Sequence, residues 1–191
     1  MPEGHSKTDK SGSFLTDIQE LRRRARQHME QGAITDGYKA DPKKVSAVLN
    51  EALATEIVCV LRYKRHYFTA TGIHAESVAQ EFLEHANEEQ THADQLAMRI
   101  TQLGGEPDLN PQHLAMNSHS EYVEGTTLVE MIREDLVAER IAIESYNEII
   151  RYIADGDPTT RRMLEEILAK EEEHADDMRD LLSTLSPSEP Q

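Results

Sequence analysis

Carboxylate and imidazole side chains recur in this sequence at spacings that suit metal binding. Two segments read E-x-x-H-A-D; the first contains Glu89 and His92, and the second contains Glu171 and His174. Residues three apart on a helix point to nearly the same face, so each segment can offer one carboxylate and one imidazole to an ion. Mixed oxygen and nitrogen ligands of this kind suit iron or manganese.

Two other segments, each preceding one of these motifs, read E-x6-Y. Glu56 and Tyr63 form the first, and Glu139 and Tyr146 form the second, 83 residues later. The two E-x-x-H-A-D motifs are separated by 82 residues, so the spacing from the lone glutamate to its motif is nearly the same in both cases. The chain is therefore built from two similar halves, and each half offers one glutamate and one E-x-x-H pair.

Apolar residues flank these acids at helical spacing, for example Leu53 and Val60 around Glu56. Acids on an apolar, inward-facing stripe become buried, and four buried carboxylates without counter-charge are very costly. Two divalent cations would supply four positive charges. The pattern therefore predicts a dinuclear metal centre with six ligands: Glu56, Glu89, His92, Glu139, Glu171 and His174.

One E-x-x-H pair alone carries little weight. With 24 Glu and nine His among 191 residues, chance gives about one such pair, and a glutamate-rich helix usually presents them to solvent. The metal-site interpretation depends on the conjunction of two complete motif sets at matched distances on apolar faces.

Capping residues divide most of the chain into four long helical stretches. Asp-Pro at 41–42 and at 157–158 places an N-cap before a proline, and Thr126-Thr127 is a further start signal. Gly72, the Gly104-Gly105 pair and Gly156 mark helix ends. We predict an all-α, up-down four-helix bundle with a long crossover between the second and third helices, plus a short N-terminal helix. The predicted long helices cover 42–71, 74–103, 126–154 and 158–185.

Composition predicts three regions with different charge. Residues 1–41 form an extension with a disordered start and a short basic helix over 14–31, residues 42–185 form the bundle, and residues 186–191 form a flexible tail. The net charge is −16, but residues 1–45 carry +2. The acidic total disfavours a generic nucleic-acid binder or a partner of anionic membranes. The basic residues Lys7, Lys10 and Arg22–Arg26 are a local exception, for which a solvated face is the favoured interpretation.

The cysteine content narrows the class of metal site, and the hydropathy narrows the cellular location of the protein. The only cysteine, Cys59, excludes an internal disulfide framework, a four-cysteine zinc site and an iron–sulfur cluster. No run of 18 apolar residues is present, and the first residues lack the apolar core of a signal peptide. We therefore expect a cytoplasmic protein that does not associate with membranes.

The stretches NEALATEIVCVLRY, NEEQTHADQLAMRI, EDLVAERIAIESYNEII and EEILAKEEEHADDM resemble the ferritin-like di-iron carboxylate superfamily, closest to its bacterioferritin branch, over about residues 43–185. The resemblance implies a ferroxidase centre for two iron ions, with Glu89 and Glu171 as bridging ligands. Glu56 and His92 would complete one iron site, and Glu139 and His174 the other. Tyr63 matches a tyrosine that the family keeps close to the di-iron site. Tyr146 matches it only through the repeat and is interpreted as a packing residue.

Differences between this sequence and bacterioferritins change the predictions for haem binding and for the number of subunits in the cage. Gln90 replaces the methionine that binds haem in bacterioferritins, so no haem of that kind is predicted. A fifth helix is missing after Leu185, the connection over 104–125 is long, and residues 1–41 are extra. These features resemble Dps-like mini-ferritins. The motifs point to a homo-oligomeric cage of 24 subunits and the architecture to one of 12, and we favour 12.

The predicted function is iron storage and detoxification by a ferroxidase that oxidises Fe(II) with O2 or H2O2 and keeps Fe(III) in the cage. Two alternatives stay open: another di-iron or di-manganese oxidoreductase such as a catalase, and a DNA-protecting mini-ferritin that uses the basic N-terminal extension. Near the centre, Cys59 is interpreted as a buried thiol, His85 as an outer-shell or a core histidine, and Glu88 as a solvated acid or a residue on the iron path.

Overall fold

The structure is a computed structural model that describes residues 17–185. The chain divides into two compact units, Met1–Gly37 and Tyr38–Gln191. The predicted disordered start, the residues Lys7 and Lys10, and the predicted tail over 186–191 lie outside the described residues.

The described part of the first unit contains one short helix and one helical turn. Helix α1 spans Ile18–Arg24, and the side chain of Asp17 caps it by accepting from the backbone N–H of Gln19. A 3-10 helix follows at Met29–Gln31. The predicted helix over 14–31 is therefore too long at its C-terminal end, because His28 adopts a positive φ of 50° that breaks the helical path.

The second unit holds four long antiparallel helices and one short helix. Helix α2 packs along α3, α5 packs along α6, and the two hairpins meet through α2–α5 and α3–α6 contacts. This arrangement is the predicted up-down four-helix bundle with a crossover between its two hairpins. The helices are α2 Pro42–Thr69, α3 Ala75–Gln102, α4 Pro111–Asn117, α5 Leu128–Ile153 and α6 Pro158–Leu185.

Polar caps fix where the long helices begin. Asp41 accepts from the N–H groups of Lys43 and Lys44 and precedes Pro42 at the first helical position. Thr127 forms a reciprocal capping box with Glu130 at the start of α5. The predicted ends of the long helices agree with the observed ones within about two residues, which is the ordinary uncertainty of a helix end.

The crossover is more ordered than the sequence pattern indicates. No helix is predicted in the connection over 104–125, yet α4 forms within it and packs on α2. Asn110 caps the helix, Pro111 occupies its first turn, and Leu114 is buried. One buried apolar anchor together with a cap is enough to order seven residues against a preformed surface.

A buried ion pair sets the register of α2 against α5. The guanidinium of Arg62 donates to the carboxylate of Asp135 at 2.9 Å, and both side chains are almost fully buried. Nδ1 of His66 lies 2.8 Å from the other Asp135 oxygen. Asp135 is one helical turn before Glu139, and Arg62 adjoins Tyr63. The pair therefore positions α2 and α5 directly beside the six predicted ligands.

None of the helices described between residues 17 and 185 is long and apolar enough to span a lipid bilayer.

Candidate metal centre

Six side chains from four helices meet in the middle of the bundle, and they are the six residues that the repeat singled out. Their relative exposures run from 0% to 6%, and His92 is the most exposed. Glu56 comes from α2 and Glu139 from α5. The two E-x-x-H pairs come from α3 and α6. Burial of four carboxylates at one place confirms that they lie on inward-facing stripes.

The potential ligand atoms of the six residues form two overlapping groups, each compact enough to surround one ion, and a further group joins His85 to Glu139 and His174. Within each group, one nitrogen or oxygen atom per residue lies within 4.8 Å of every other. The first group comprises Glu56, Glu89, His92 and Glu171, and the second comprises Glu89, Glu139, Glu171 and His174. Glu89 and Glu171 belong to both groups, which is the placement that a ligand shared by two ions requires.

The imidazole of His92 faces the carboxylates of the first group. Its Nδ1 atom lies 3.1 Å from Glu89 Oε2 in a hydrogen bond and 3.6 Å from Glu56 Oε2. The same atom lies 2.8 Å from Glu171 Oε1 in a geometry that makes no hydrogen bond. One nitrogen thus faces three carboxylates that it cannot satisfy together.

The imidazole of His174 faces the second group in the same way. Its Nδ1 atom lies 3.6 Å from Glu89 Oε1, 3.7 Å from Glu171 Oε2 and 3.9 Å from Glu139 Oε2. These separations are too long for hydrogen bonds. The other ring nitrogen, Nε2, lies 2.6 Å from Glu88 Oε2, so Glu88 orients the ring from outside, as outer carboxylates do for metal-bound histidines.

Two tyrosines connect the halves of the repeat reciprocally. The hydroxyl of Tyr63 on α2 donates to Glu139 on α5, and the hydroxyl of Tyr146 on α5 donates to Glu56 on α2. The interpretation of Tyr146 as a packing residue is therefore wrong, because its phenol is buried and holds a carboxylate of the centre. The signal was present in the repeat, which places Tyr146 at the position equivalent to Tyr63.

Several buried ligand atoms have no hydrogen-bond partner among residues 17–185. They are Glu89 Oε1, Glu139 Oε2, both carboxylate oxygens of Glu171, and His174 Nδ1. Buried polar atoms are nearly always partnered, and each exception requires an explanation. These five atoms belong to the two compact groups and are oxygen and nitrogen donors. The donor set therefore fits divalent iron or manganese.

Protons compensate part of the negative charge of these buried carboxylates. Burial, and next the charge of Glu89, raises the pKa of Glu56 to about 8, and burial raises the pKa of Glu139 well above its usual range. Burial opposes protonation of both histidines, yet the surrounding carboxylates raise the pKa of His92 and of His174 to about 12. Near neutral pH the centre therefore holds several protons, which incoming metal ions must displace.

His85 distinguishes the two halves of the centre. Its ring is buried, stacks on His174 with the ring centroids 4.0 Å apart, and places Nδ1 3.2 Å from the Tyr63 hydroxyl. Burial, and next the charge of His174, lowers the pKa of His85 to about 3, so this ring is neutral. The sequence left two roles open for His85, and the structure is consistent with both. The ring is a hydrogen-bonded core side chain, and it also contacts His174 of the centre.

Cys59 takes no part in either ligand group. The thiol is buried and lies 3.5 Å from the guanidinium of Arg62, and burial raises its pKa well above the usual range. A protonated, buried thiol is the placement that the sequence favoured for this residue.

Comparisons with known proteins identify similar chains. The family model of the ferritin-like domain matches residues 46–187. A bacterioferritin from Brucella melitensis is 33% identical over 153 residues, which are 78% of this chain and 88% of that protein. A nutrient stress-induced DNA-binding protein from Synechococcus is 32% identical over 66% of this chain and 74% of its own length.

A solved structure gives the same comparison in three dimensions. The bacterioferritin-related protein from Bacteroides fragilis, described as a dodecameric thioferritin, superimposes with a TM-score of 0.74 and 34% identity. The match covers 77% of this chain and 89% of that one.

Proposed function

The chain belongs to the ferritin-like domain family, and from that premise we propose that it is a ferroxidase that oxidises Fe(II) and stores the Fe(III) product. The observation that carries the proposal is the buried set of four carboxylates and two imidazoles with five unpartnered ligand atoms. Its relatives named bacterioferritin and its likeness to a thioferritin support iron as the metal.

Each of the two ligand groups would surround one of the two ions. Glu89 and Glu171, which belong to both groups, would hold the two ions in one unit. Glu56 and His92 would complete the surroundings of one ion, and Glu139 and His174 those of the other. The two Fe(II) ions are substrates, and each gives up one electron. Together with two protons, these electrons reduce O2 to H2O2, or H2O2 to two water molecules.

Charge supports delivery of the substrate. The net charge of −16 attracts cations over the length scale of the molecule, and Glu88 lies half-buried beside His174 with one side toward solvent. Glu88, interpreted from sequence as a solvated acid or a residue on the iron path, therefore combines orientation of His174 with a position at the edge of the centre.

We further propose a homo-oligomeric cage of twelve subunits in preference to 24. The support is the likeness to the Bacteroides fragilis protein, which is described as dodecameric. Light scattering on purified protein tests this proposal, since a dodecamer has twelve times the 21.6 kDa mass of the chain.

The ferroxidase proposal is tested by mixing metal-free protein with Fe(II) under anaerobic conditions, adding O2 or H2O2, and following ferric absorbance. We expect the protein to accelerate oxidation over buffer. Glu89→Gln removes a carboxylate shared by both ligand groups. Because loss of even an outer-shell partner costs about 10- to 100-fold, we expect a loss of about a hundredfold or more.

Glu76→Gln is the matched control, since Glu76 is an exposed acid on the same helix. It removes the same charge from α3 and should retain full activity. An oxidation rate equal to that of buffer for the native chain, or equal rates for both variants, would contradict the proposal.

Two alternatives have direct tests. Metal analysis of protein from its host together with peroxide turnover separates a ferroxidase from a di-manganese catalase. DNA binding by the N-terminal extension is favoured by the names of relatives such as the Synechococcus protein. A gel shift at low salt, with and without residues 1–31, decides it.

A further inference from the structure

The two halves of the repeat differ at one cluster beside the centre. Three residues of this cluster have equivalents under the 82-residue shift that relates α3 to α6. Glu81, His85 and Asp177 correspond to Met163, Ile167 and Gln95. In the repeat, a thioether, an aliphatic chain and an amide thus take the places of an acid, an imidazole and an acid. The six inner residues, in contrast, follow the repeat.

The atoms of this cluster are arranged as ligands of one ion. His85 Nε2 lies 3.6 Å from Glu81 Oε1 and 3.6 Å from Asp177 Oδ2. Both separations are too long for a hydrogen bond. They match the distance of about 3.4 Å between two ligand atoms at a tetrahedral angle on one ion with bonds of about 2.1 Å. One donor atom from each of the three residues lies within 4.8 Å of the others.

The imidazole nitrogen that faces the two acids is free to bind. The His85 side chain is 2% exposed, and its Nδ1 atom already contacts the Tyr63 hydroxyl. Nε2 makes no hydrogen bond with any residue between 17 and 185, and it points toward the side on which Glu81 and Asp177 reach solvent. A neutral imidazole that presents a nitrogen without a hydrogen bond to two carboxylates has the lone pair that a metal ion requires.

The two carboxylates also repel each other. Partial burial, and next the carboxylate of Asp177, raises the pKa of Glu81. Asp177 is about half exposed and Glu81 about one third exposed, so an ion between them could exchange with solvent and keep water ligands.

We propose that Glu81, His85 and Asp177 bind a third divalent first-row cation, Fe(II) during iron loading, where α3 faces α6. None of the three residues is among the six candidate ligands of the dinuclear centre, but the site adjoins that centre, because the His85 ring stacks on His174 and forms a compact group with Glu139 and His174. Fe(II) held there lies beside His174, one of the residues of the proposed centre at which O2 or H2O2 oxidises Fe(II). This staging role rests on the proposed ferroxidase function, whereas binding of a third ion does not.

The test counts bound Co(II) by equilibrium dialysis of the full chain and records its visible absorption. We expect three ions for the native chain and two for the Glu81→Gln/Asp177→Asn variant. The control, Glu76→Gln/Asp180→Asn, removes the same two charges from exposed positions on the same two helices and should bind three. Equal counts for the native chain and the first variant, or equal losses in both variants, overturn the proposal.

The measured quantity is a difference of one bound ion per chain between the native chain and the variant. The test of the third site therefore stays valid if the dinuclear centre binds no ion. In that case the native count falls to one and the variant count to zero, which would contradict the proposed function and support the third site. For the staging role, we expect Glu81→Gln/Asp177→Asn to oxidise the first two Fe(II) equivalents at the native rate. Later equivalents should be oxidised several-fold more slowly. An unchanged later rate refutes staging.

Discussion

Tyr63 and Tyr146 show how single side chains link the two halves of the molecule. Each tyrosine lies two helical turns after the glutamate of its own helix, yet each phenol binds the glutamate of the opposite hairpin. A phenol that donates to a buried carboxyl group satisfies one of its oxygens and leaves the other free for a proton or a cation. The reciprocal pairing therefore holds Glu56 and Glu139 in place before any metal binds.

Removal of either phenol should destabilise the metal-free protein. Tyr63→Phe and Tyr146→Phe each leave a buried carboxyl group without its donor, which costs about 1–3 kcal/mol. Urea unfolding of metal-free protein measures the change. Tyr67→Phe is the control, because Tyr67 is half-buried and its hydroxyl makes no hydrogen bond with the described residues. A stability equal to that of the native chain for both test variants would show that these hydrogen bonds contribute nothing.

At the scale of the helices, the buried ion pair between Arg62 and Asp135 joins α2 to α5, whereas much of the remaining core is apolar. Arg62 also donates to Ser120 and to the backbone carbonyl of Glu121, so the same guanidinium ties the crossover to the bundle. His66 joins Asp135 to the carbonyl of Glu124. This network lies within one helical turn of Glu139 and orients the helices that carry the centre.

The network should be fragile to removal of one partner. Asp135→Leu leaves the Arg62 guanidinium buried without its counter-ion, and such a change destabilises by about 3–5 kcal/mol. The double variant Arg62→Met/Asp135→Leu should recover most of that loss, since it leaves no uncompensated charge. Denaturant unfolding measures both variants.

An exposed ion pair provides the comparison. Arg161→Met removes the surface pairs with Glu165 and Asp155, and we expect a change below about 1 kcal/mol. If Asp135→Leu were as mild as Arg161→Met, the buried pair would not hold the two helices in register.

On the scale of the whole molecule, the protons bound at the centre make the stability of the metal-free protein depend on pH. The pKa of Glu56 is raised from 4.5 to about 8, and the pKa values of His92 and His174 from 6.5 to about 12. A group whose pKa is higher in the folded state stabilises the fold below its unfolded pKa. That contribution is lost as pH rises toward the folded pKa.

Stability of the metal-free protein should therefore fall between about pH 6.5 and pH 8, because in that interval all three groups lose the stabilising contribution of their bound proton. Each proton held only by the folded state changes stability by about 1.4 kcal/mol per pH unit. Thermal unfolding at several pH values measures the slope. Glu56→Gln should make the slope shallower, and Zn(II)-loaded protein should lose less stability over this range. A metal-free protein whose melting temperature rises from pH 6.5 to pH 8 would contradict this account of the centre.

The sequence was sufficient for the features that depend on local spacing. Helix lengths follow from caps such as Asp41 and Thr127, and the inward faces follow from apolar periodicity. The six candidate ligands follow from a motif repeated at matched distances. Each of these is encoded within a few helical turns, where 3.6-residue geometry leaves little freedom.

Tertiary structure decided which of those side chains meet. The contact of Tyr146 with Glu56 and that of Arg62 with Asp135 depend on the relative shift and rotation of helices far apart in sequence, as does the approach of Asp177 to His85. Helix α4 formed because α2 offered a surface for Leu114, although its own pattern is weak. Periodicity states which face of a helix turns inward, but only packing determines the height at which two inward faces come into register.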